Sequence, residues 1–475
     1  MSRIRLTAAL VTAAMQGRLV AGGGETAFEN VSIDSRTIGA DGLFVAIRGE
    51  RFDGADFAAA AIEKGAAGVV VPRGWAQQAA RAQRAGSAGA AEAVVVEVDD
   101  TTVALQLLAN AIRKESGTKV VAITGSAGKT TTKEVTSELL ATRYRVIRNR
   151  GNFNNHIGLP LSLIELRERP EIAVVELGMN HAGEISTLVR VADPDLRVWT
   201  NVGEAHLGFF ASVDAIADAK AEVMEGATAS TVLVANADDQ RIEARAARFT
   251  GRVVRFGVER PADVRASNLH DGGTEGMAAT VATPRGQFEL AMPLIGRGNL
   301  QNVLAATAVA IEFDVPVEAI AERAKTLAPA AHRGEVVRLP NGVTVIDDSY
   351  NANPTATKRA LDVLAQSSSD RKVAVLGEML ELGDRSVALH EEVGRAAARS
   401  GVDELVTVGG APAAAMADAA IAAGLKKTHV RYIATSDEAA DVIAATVRRG
   451  DVVLVKGSRG VKTDRVVERL KAVRD

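Results

Sequence analysis

Short apolar runs alternate with stretches of helical spacing along most of this chain. Between residues 98 and 327 the runs at 120–124, 172–177, 197–202 and 231–235 predict buried strands, with helical stretches between them. From Leu327 to Arg333 onward the alternation resumes, with strands predicted at Val343–Ile346, Val373–Leu376, Glu404–Val408 and Val452–Val455. Strands that alternate with helices predict parallel sheets covered on both faces. Ahead of this region, Leu6 to Met15 predicts a short helix ending near Gly17, and Gly68–Val71 reads as a buried run. Residues 74 to 94 are the lowest-complexity segment, so a first domain is expected to end near residue 97. The chain therefore reads as three α/β domains: a small one at 1–97, a central one at 98–327 and a third at 328–475.

A parallel sheet also sorts the polar residues, because ligands gather beyond the carboxyl ends of its strands. Glu176 follows one predicted strand, Asn201 and His206 follow another, and Asp347, Asp348, Lys456, Ser458 and Arg459 follow two more in the third domain.

Composition narrows the function classes. A length of 475 residues suits about three domains. Aromatic residues make up only 3%, so the cores must be built from Val, Leu, Ile and Ala, which suits parallel sheets. A net charge of -3 without any basic block gives no reason to expect nucleic acid as a partner. With no cysteine, disulfides, thiolate metal sites and cysteine nucleophiles are all excluded. Arg3 and Arg5 ahead of Leu6–Met15 faintly imitate a signal peptide, but the threonines within the run and the polar Gln16–Arg18 after it favour a helix. No other segment approaches the length of a membrane span, and no membrane insertion is expected.

The strongest chemical signal lies at residues 120–132. A buried strand runs into Gly125, Ser126, Ala127, Gly128, Lys129, Thr130 and Thr131, where a helix should start. Glycines at 125 and 128 let backbone N–H groups approach anionic oxygens, Lys129 adds a mobile positive charge, and Thr130 stands where a hydroxyl reaches Mg²⁺. The full P-loop pattern asks for glycine where Ile123 stands, so this is a shortened version of that loop. ATP and Mg²⁺ are the expected cofactors, and an ATP-dependent protein is expected in the cytoplasm.

Glu176 and His206, at neighbouring strand ends, offer oxygen and nitrogen ligands for Mg²⁺ beside Thr130. Lys220 shares a predicted helical face with Val213, Ile216, Ala217, Val223 and Met224. Either it snorkels to water, or it is desolvated and partly neutral, in which case the amine can take up CO₂ and become an anionic metal ligand. Asn149, Asn152, Asn154 and Asn155 fall within seven residues, the last three between Gly151 and Gly158, a density of amides suited to a polar, sugar-like ligand. Asp348 to Pro354, with Asn351 and Asn353, is a second amide-rich turn.

Together these segments resemble the Mur ligase family, the ATP-dependent amide ligases of peptidoglycan precursor synthesis, over nearly the whole chain. The resemblance implies a central P-loop ATPase-like domain and a Rossmann-like C-terminal domain. It implies that Asp34, Ser35, Arg36, Gly49 and Asp53 hold the UDP end of the substrate, and that Asn152, Asn154 and Asn155 meet its muramoyl part. It places Asn299 and Asn302 near adenine and ribose, brings Arg333 and Asp348 to the nucleotide, and makes Lys129, Glu176, His206, Lys220 and Arg333 the catalytic set. Thr130, Glu176, His206 and a carbamylated Lys220 would be the metal ligands. Asp348–Pro354, Leu376–Gly383, His390 and Lys456–Arg459 are most similar to the branch that adds D-alanyl-D-alanine to UDP-N-acetylmuramoyl-tripeptide through an acyl phosphate, with Tyr350, Asn351, Asn353, Lys456, Ser458 and Arg459 as acceptor contacts. The tetrapeptide typical of the diaminopimelate-adding branch is absent.

Three positions depart from the family's usual pattern. Gly298 stands where histidine is usual, His156 where an acid is frequent, and Phe210-Ala211 interrupts a Phe-Gly-Ser. A monomer is expected. The rival expectations are another Mur-type or folylpolyglutamate-type amide ligase and a P-loop nucleotide switch that makes no covalent product.

Overall fold

The computed structural model of the chain describes residues 2–77, 93–205 and 207–472; His206 and most of the low-complexity segment at 74–94 lie outside the described residues. The chain divides into two units. One comprises Met1–Ala122, Tyr144–Met179 and Gly183–Asp195, the other Ile123–Arg143, Asn180–Ala182 and Leu196–Asp475.

In the first unit a five-stranded sheet runs in the order Arg18–Ala21, Val94–Val98, Gly68–Pro72, Gly42–Val45, Asn30–Ser32. All neighbours are parallel except the first pair. Val94–Val98 and Gly42–Val45 are buried along their whole length, which is why they read as unbroken apolar runs rather than as alternation. The expected N-terminal helix starts two residues late. Leu6–Thr7 first pairs with Ala27–Phe28, and the Thr7 hydroxyl then caps Ala8–Ala14 by accepting from the Leu10 N–H. The helix Thr101–Ser116 begins where Asp100 accepts from the N–H groups of Thr102 and Val103 and stops at Gly117, whose φ of 70° suits glycine.

In the second unit Leu196–Trp199, Val232–Asn236, Arg252–Gly257 and Val264–Asp271 pair in parallel. Met277–Thr283 and Gly286–Met292 then turn back antiparallel, a departure from the parallel strands expected throughout. The last strand alternates, with Leu290 and Met292 buried and Glu289 and Ala291 exposed, as an outer strand with one wet face should. Pro284-Arg285 closes the hairpin, and the Thr283 hydroxyl donates to the Gly286 carbonyl.

A second sheet in this unit has the order Glu335–Arg338, Thr344–Asp348, Asp451–Lys456, Arg371–Gly377, Glu404–Val408, Val430–Ile433, and only its first pair is antiparallel. One face buries Val345, Val373, Val375, Val406, Val453 and Val455 against Ile443, Val466 and Leu470. At roughly 1.5–3 kcal/mol for each fully buried aliphatic side chain, such a face outweighs any single polar contact in holding the sheet. No helix among the described residues is long and apolar enough to cross a membrane.

Candidate active site

The lysine-bearing loop is built by its neighbours in the second unit. The strand Lys119–Thr124 ends buried, four loop residues follow, and the helix Lys129–Leu140 starts at Lys129. Asn201 grips the loop from both sides. Its Oδ1 accepts from the Ala127 N–H at 2.8 Å, and its Nδ2 donates to the Ala127 carbonyl at 2.9 Å. The Thr200 hydroxyl donates to the same carbonyl, while Ser126 Oγ exchanges hydrogen bonds with Gly203. Gly128, at φ +78°, is required twice over, because a Cβ there would lie 2.3 Å from Asn302 Oδ1. Lys129 Nζ donates to the Gly125 carbonyl at 3.0 Å and so sits folded over its own loop.

The predicted strand at 197–202 ends at Trp199, and this early end has a reason. Residues 200–203 leave the strand to clamp the loop. Its position after a strand places Asn201 near Lys129, whereas nothing in the sequence marks Thr200.

Asn302, expected near the nucleotide, is buried beneath the loop, where its Oδ1 accepts from Thr132 Oγ1 and its Nδ2 donates to Asn299 Oδ1. Asn299 in turn donates to the Ile295 carbonyl. These amides hold the loop's shape from below. Thr131 is buried within the helix start, and Thr130 beside it is partly exposed.

Lys220 settles one choice left open by the sequence. It is 1% exposed, in the last turn of Val213–Ala221, so it does not snorkel to water. The helix predicted to Met224 tightens into a 3₁₀ turn at Glu222–Met224.

In the first unit Glu176 ends the strand Ile172–Glu176 as a buried carboxylate, and Asn154 Nδ2 donates to its Oε1 at 2.7 Å. Asn149 accepts from the Glu176 N–H and donates to the Phe153 carbonyl. Asn155 Oδ1 accepts from the N–H groups of Gly158 and Ile157 and starts the helix Gly158–Ile164. Three of the four clustered asparagines thus have partners inside the loop and its strand, while Asn152 is exposed.

Arg36 makes a paired contact to Asp34, Nε to Oδ1 at 2.9 Å and Nη2 to Oδ2 at 2.7 Å, which lowers the Asp34 pKa to about 2. The Ser35 carbonyl accepts from Lys64 Nζ. Asp53 caps the turn Gly54–Phe57 through the Ala55 N–H, and Gly49 donates to the Phe52 carbonyl.

The C-terminal rim in the second unit is a charged cluster around Tyr350. The Arg333 guanidinium stacks 4.1 Å from the Tyr350 ring centre, and the Arg459 guanidinium lies 5.6 Å from it. Buried Lys456 donates to Asp348 Oδ2 at 2.5 Å and to the Asn351 carbonyl at 3.0 Å. Burial pushes the Asp348 carboxyl above its ordinary range, against the pull of Lys456 and Arg333. Asp347, buried, accepts from Ser349 and holds His332 Nδ1 at 2.8 Å. Asn353, expected to touch the acceptor, caps the helix Pro354–Gln366 through the Ala356 N–H, and Asn351 Oδ1 accepts from the Ala352 N–H. Ser458 Oγ accepts from the Leu380 N–H.

His390 braces the Leu376–Gly383 segment. Its Nε2 accepts from the Met379 N–H at 2.9 Å and its Nδ1 donates to the Ser386 carbonyl at 2.7 Å, so these contacts call for the neutral ring. Burial holds its pKa below the ordinary 6.5. Between that lowered value and 6.5 the unfolded chain binds the extra proton, so stability falls as pH drops through this window. His390→Gln, which keeps an acceptor, is expected to flatten the decline of melting temperature on acidification from about pH 7 to about pH 5. Parallel declines in both proteins would assign the effect elsewhere.

Comparison with known proteins places this geometry in context. Residues 123–310 match the Mur ligase middle domain, residues 332–459 the Mur ligase glutamate ligase domain, and residues 27–113 the Mur ligase family catalytic domain. The UDP-N-acetylmuramoyl-tripeptide--D-alanyl-D-alanine ligase of Bacillus subtilis (strain 168) is 34% identical over 447 residues, 94% of each chain. The crystal structure of MurF from Acinetobacter baumannii superposes with a TM-score of 0.88 at 31% identity over the full length of both chains. MurF from Thermotoga maritima, solved in complex with ADP, superposes with a TM-score of 0.80 at 28% identity, covering 93% of this chain and 97% of its own.

Proposed function

The chain belongs to the Mur ligase family, and from this we infer that it joins D-alanyl-D-alanine to UDP-N-acetylmuramoyl-tripeptide at the expense of ATP, a step of peptidoglycan precursor synthesis. The observation that carries the reading is the loop pinned by Thr200, Asn201 and Asn302 with Lys129 on its rim. A free carboxylate is a poor electrophile, so it must first be activated. The peptide's terminal carboxylate attacks the γ-phosphorus, the bond to the β-phosphate oxygen breaks, and ADP leaves. The dipeptide amine then attacks the acyl phosphate carbon, expelling inorganic phosphate and losing a proton.

Lys129 must swing from the Gly125 carbonyl to the phosphates, a movement its flexible stem allows. Arg333 brings a second cation from the Tyr350 cluster. Buried Lys456 fixes the Asp348 turn rather than reaching out itself, while Arg459 stands at the rim for the acceptor. For Mg²⁺ the Thr130 hydroxyl and a carbamate on the buried Lys220 would supply hard oxygen donors, and the family resemblance would add the Glu176 carboxylate and the His206 imidazole. When bound, the cation neutralises charge on the phosphates. Asp34, Ser35, Arg36, Gly49 and Asp53 serve the UDP end, with Asn152 at the muramoyl group and Asn154 orienting Glu176. The working domains are 1–97, 98–327 and 328–475, in a cytoplasmic monomer.

Incubation with ATP and UDP-muramoyl-tripeptide is expected to release phosphate when D-alanyl-D-alanine is added and far less with single amino acids. Equal stimulation by a single amino acid would assign the protein to another amide ligase. ATP binding without acceptor-stimulated release would make it a nucleotide switch.

A further inference from the structure

A histidine stands at the edge of the Tyr350 cluster with one ring nitrogen engaged, and the mechanism above gives it no task. His332 Nδ1 bonds Asp347 Oδ2 at 2.8 Å, and the aspartate is completely buried while the imidazole is 36% exposed. Both carboxylate oxygens act as acceptors, since Oδ1 takes the Ser349 hydroxyl at 2.6 Å and the Ser349 N–H at 3.2 Å. An acceptor held against Nδ1 fixes the ring proton there and leaves the basic lone pair on Nε2. Among the described residues no hydrogen bond reaches Nε2.

The backbone is held as firmly as the ring. His332 has a φ of +60°, in the left-handed region that a side chain rarely adopts. The Tyr350 N–H donates to its carbonyl at 3.1 Å, and the Gly334 N–H donates to the Asp347 carbonyl at 2.9 Å. The end of the strand Thr344–Asp348 and the turn after it therefore fix this segment through main chain and side chain together. Strain of this kind persists where the surroundings hold one conformation, and it gathers at functional sites. Arg333 follows directly, with its guanidinium on the Tyr350 ring that Arg459 also approaches. The imidazole thus belongs to the rim assigned to the acceptor.

That acceptor poses a proton problem. At neutral pH an α-amino group is mostly the ammonium ion, which has no electron pair to offer a carbonyl carbon. We propose that His332, oriented by Asp347, is the general base that deprotonates the acceptor's ammonium group. Nε2 takes one proton, and the nitrogen pair thereby freed forms the C–N bond. The acyl C–O bond breaks, and phosphate leaves with that electron pair and the nitrogen's second proton. Imidazolium then returns its proton to solvent. This rests on the ligase reading above and adds to it the residue that readies the nucleophile.

Hydroxylamine separates this role from a structural one, because it is largely unprotonated at neutral pH and attacks acyl phosphates without a base. His332→Asn suits the left-handed backbone and can still donate to Asp347, and His332→Gly suits that backbone without any side chain. With ATP and UDP-muramoyl-tripeptide, both variants are expected to lose D-alanyl-D-alanine ligation by about 10²-fold or more. Both are expected to form the hydroxamate at close to the unaltered rate, which also shows that they fold and activate the carboxylate. Near-normal dipeptide ligation in either variant would overturn the proposal, and so would an equal loss of ligation and hydroxamate, which is the mark of a residue that only holds the chain. Absence of acceptor-dependent phosphate release from the unaltered protein would instead sink the ligase reading, and this assignment with it.

Discussion

Lys129→Ala is expected to abolish D-alanyl-D-alanine-dependent ADP release, with kcat/KM reduced by about 10³-fold or more, or roughly 4 kcal/mol of transition-state stabilisation. The size follows from where the lysine stands. Backbone N–H groups alone cannot neutralise a phosphoryl group in transit, and two loop N–H groups, those of Ser126 and Ala127, are already taken by Asn201. Lys129 is the first residue of its helix and its amine makes one bond back to Gly125, while Asn201, Thr200 and Asn302 supply several other contacts that shape the loop. The melting temperature should therefore change little, and steady-state ADP release with and without dipeptide supplies the measurement. A variant with near-normal turnover would remove the loop from the chemistry.

Gly128→Ala makes a useful contrast, because it leaves the lysine in place but strains a left-handed backbone position and drives a methyl group into Asn302. Thr132 and Asn299 hold Asn302 in position, so the strain has no easy outlet. The lysine supplies charge, and the glycine supplies the space in which that charge is useful.

The parts of this site that were legible in the sequence are those in which one residue type permits one conformation. The apolar run into Gly125, Gly128 and Lys129 placed the strand end and the helix start correctly, and apolar neighbours at helical spacing marked Lys220 as a candidate for burial. Amides were harder to read. An asparagine can bond a ligand or the nearest backbone, and only the folded neighbourhood decides. Asn353, read as an acceptor contact, also caps a helix, and Asn154, read as a sugar ligand, also donates to Glu176. The Thr200 clamp was hidden for a related reason, since a threonine at a strand end looks the same whether or not a loop leans on it. The antiparallel hairpin at 277–292 escaped because a moderately apolar outer strand imitates the parallel ones when its partner is unknown.

Lys220 carries the second large effect. An amine only 1% exposed is costly as an uncompensated charge, because desolvation costs several kcal/mol. In the proposed carbamate form the neutral amine would attack CO₂, an N–C bond would form, a proton would pass to solvent, and the product would be an anion where a cation stood. Such an anion fits a site that must attract a divalent metal. Lys220→Met keeps most of the volume without the nitrogen, so the helix Val213–Ala221 should still pack. Activity is expected to fall by about 10²-fold or more, the scale of removing one charge-stabilising group. The unaltered enzyme should lose activity in buffer stripped of CO₂ and regain it with bicarbonate, whereas Lys220→Met should respond to neither. Full activity after prolonged CO₂ depletion would show that the buried lysine works as an amine, and its loss in the methionine variant would then report a direct contact to substrate.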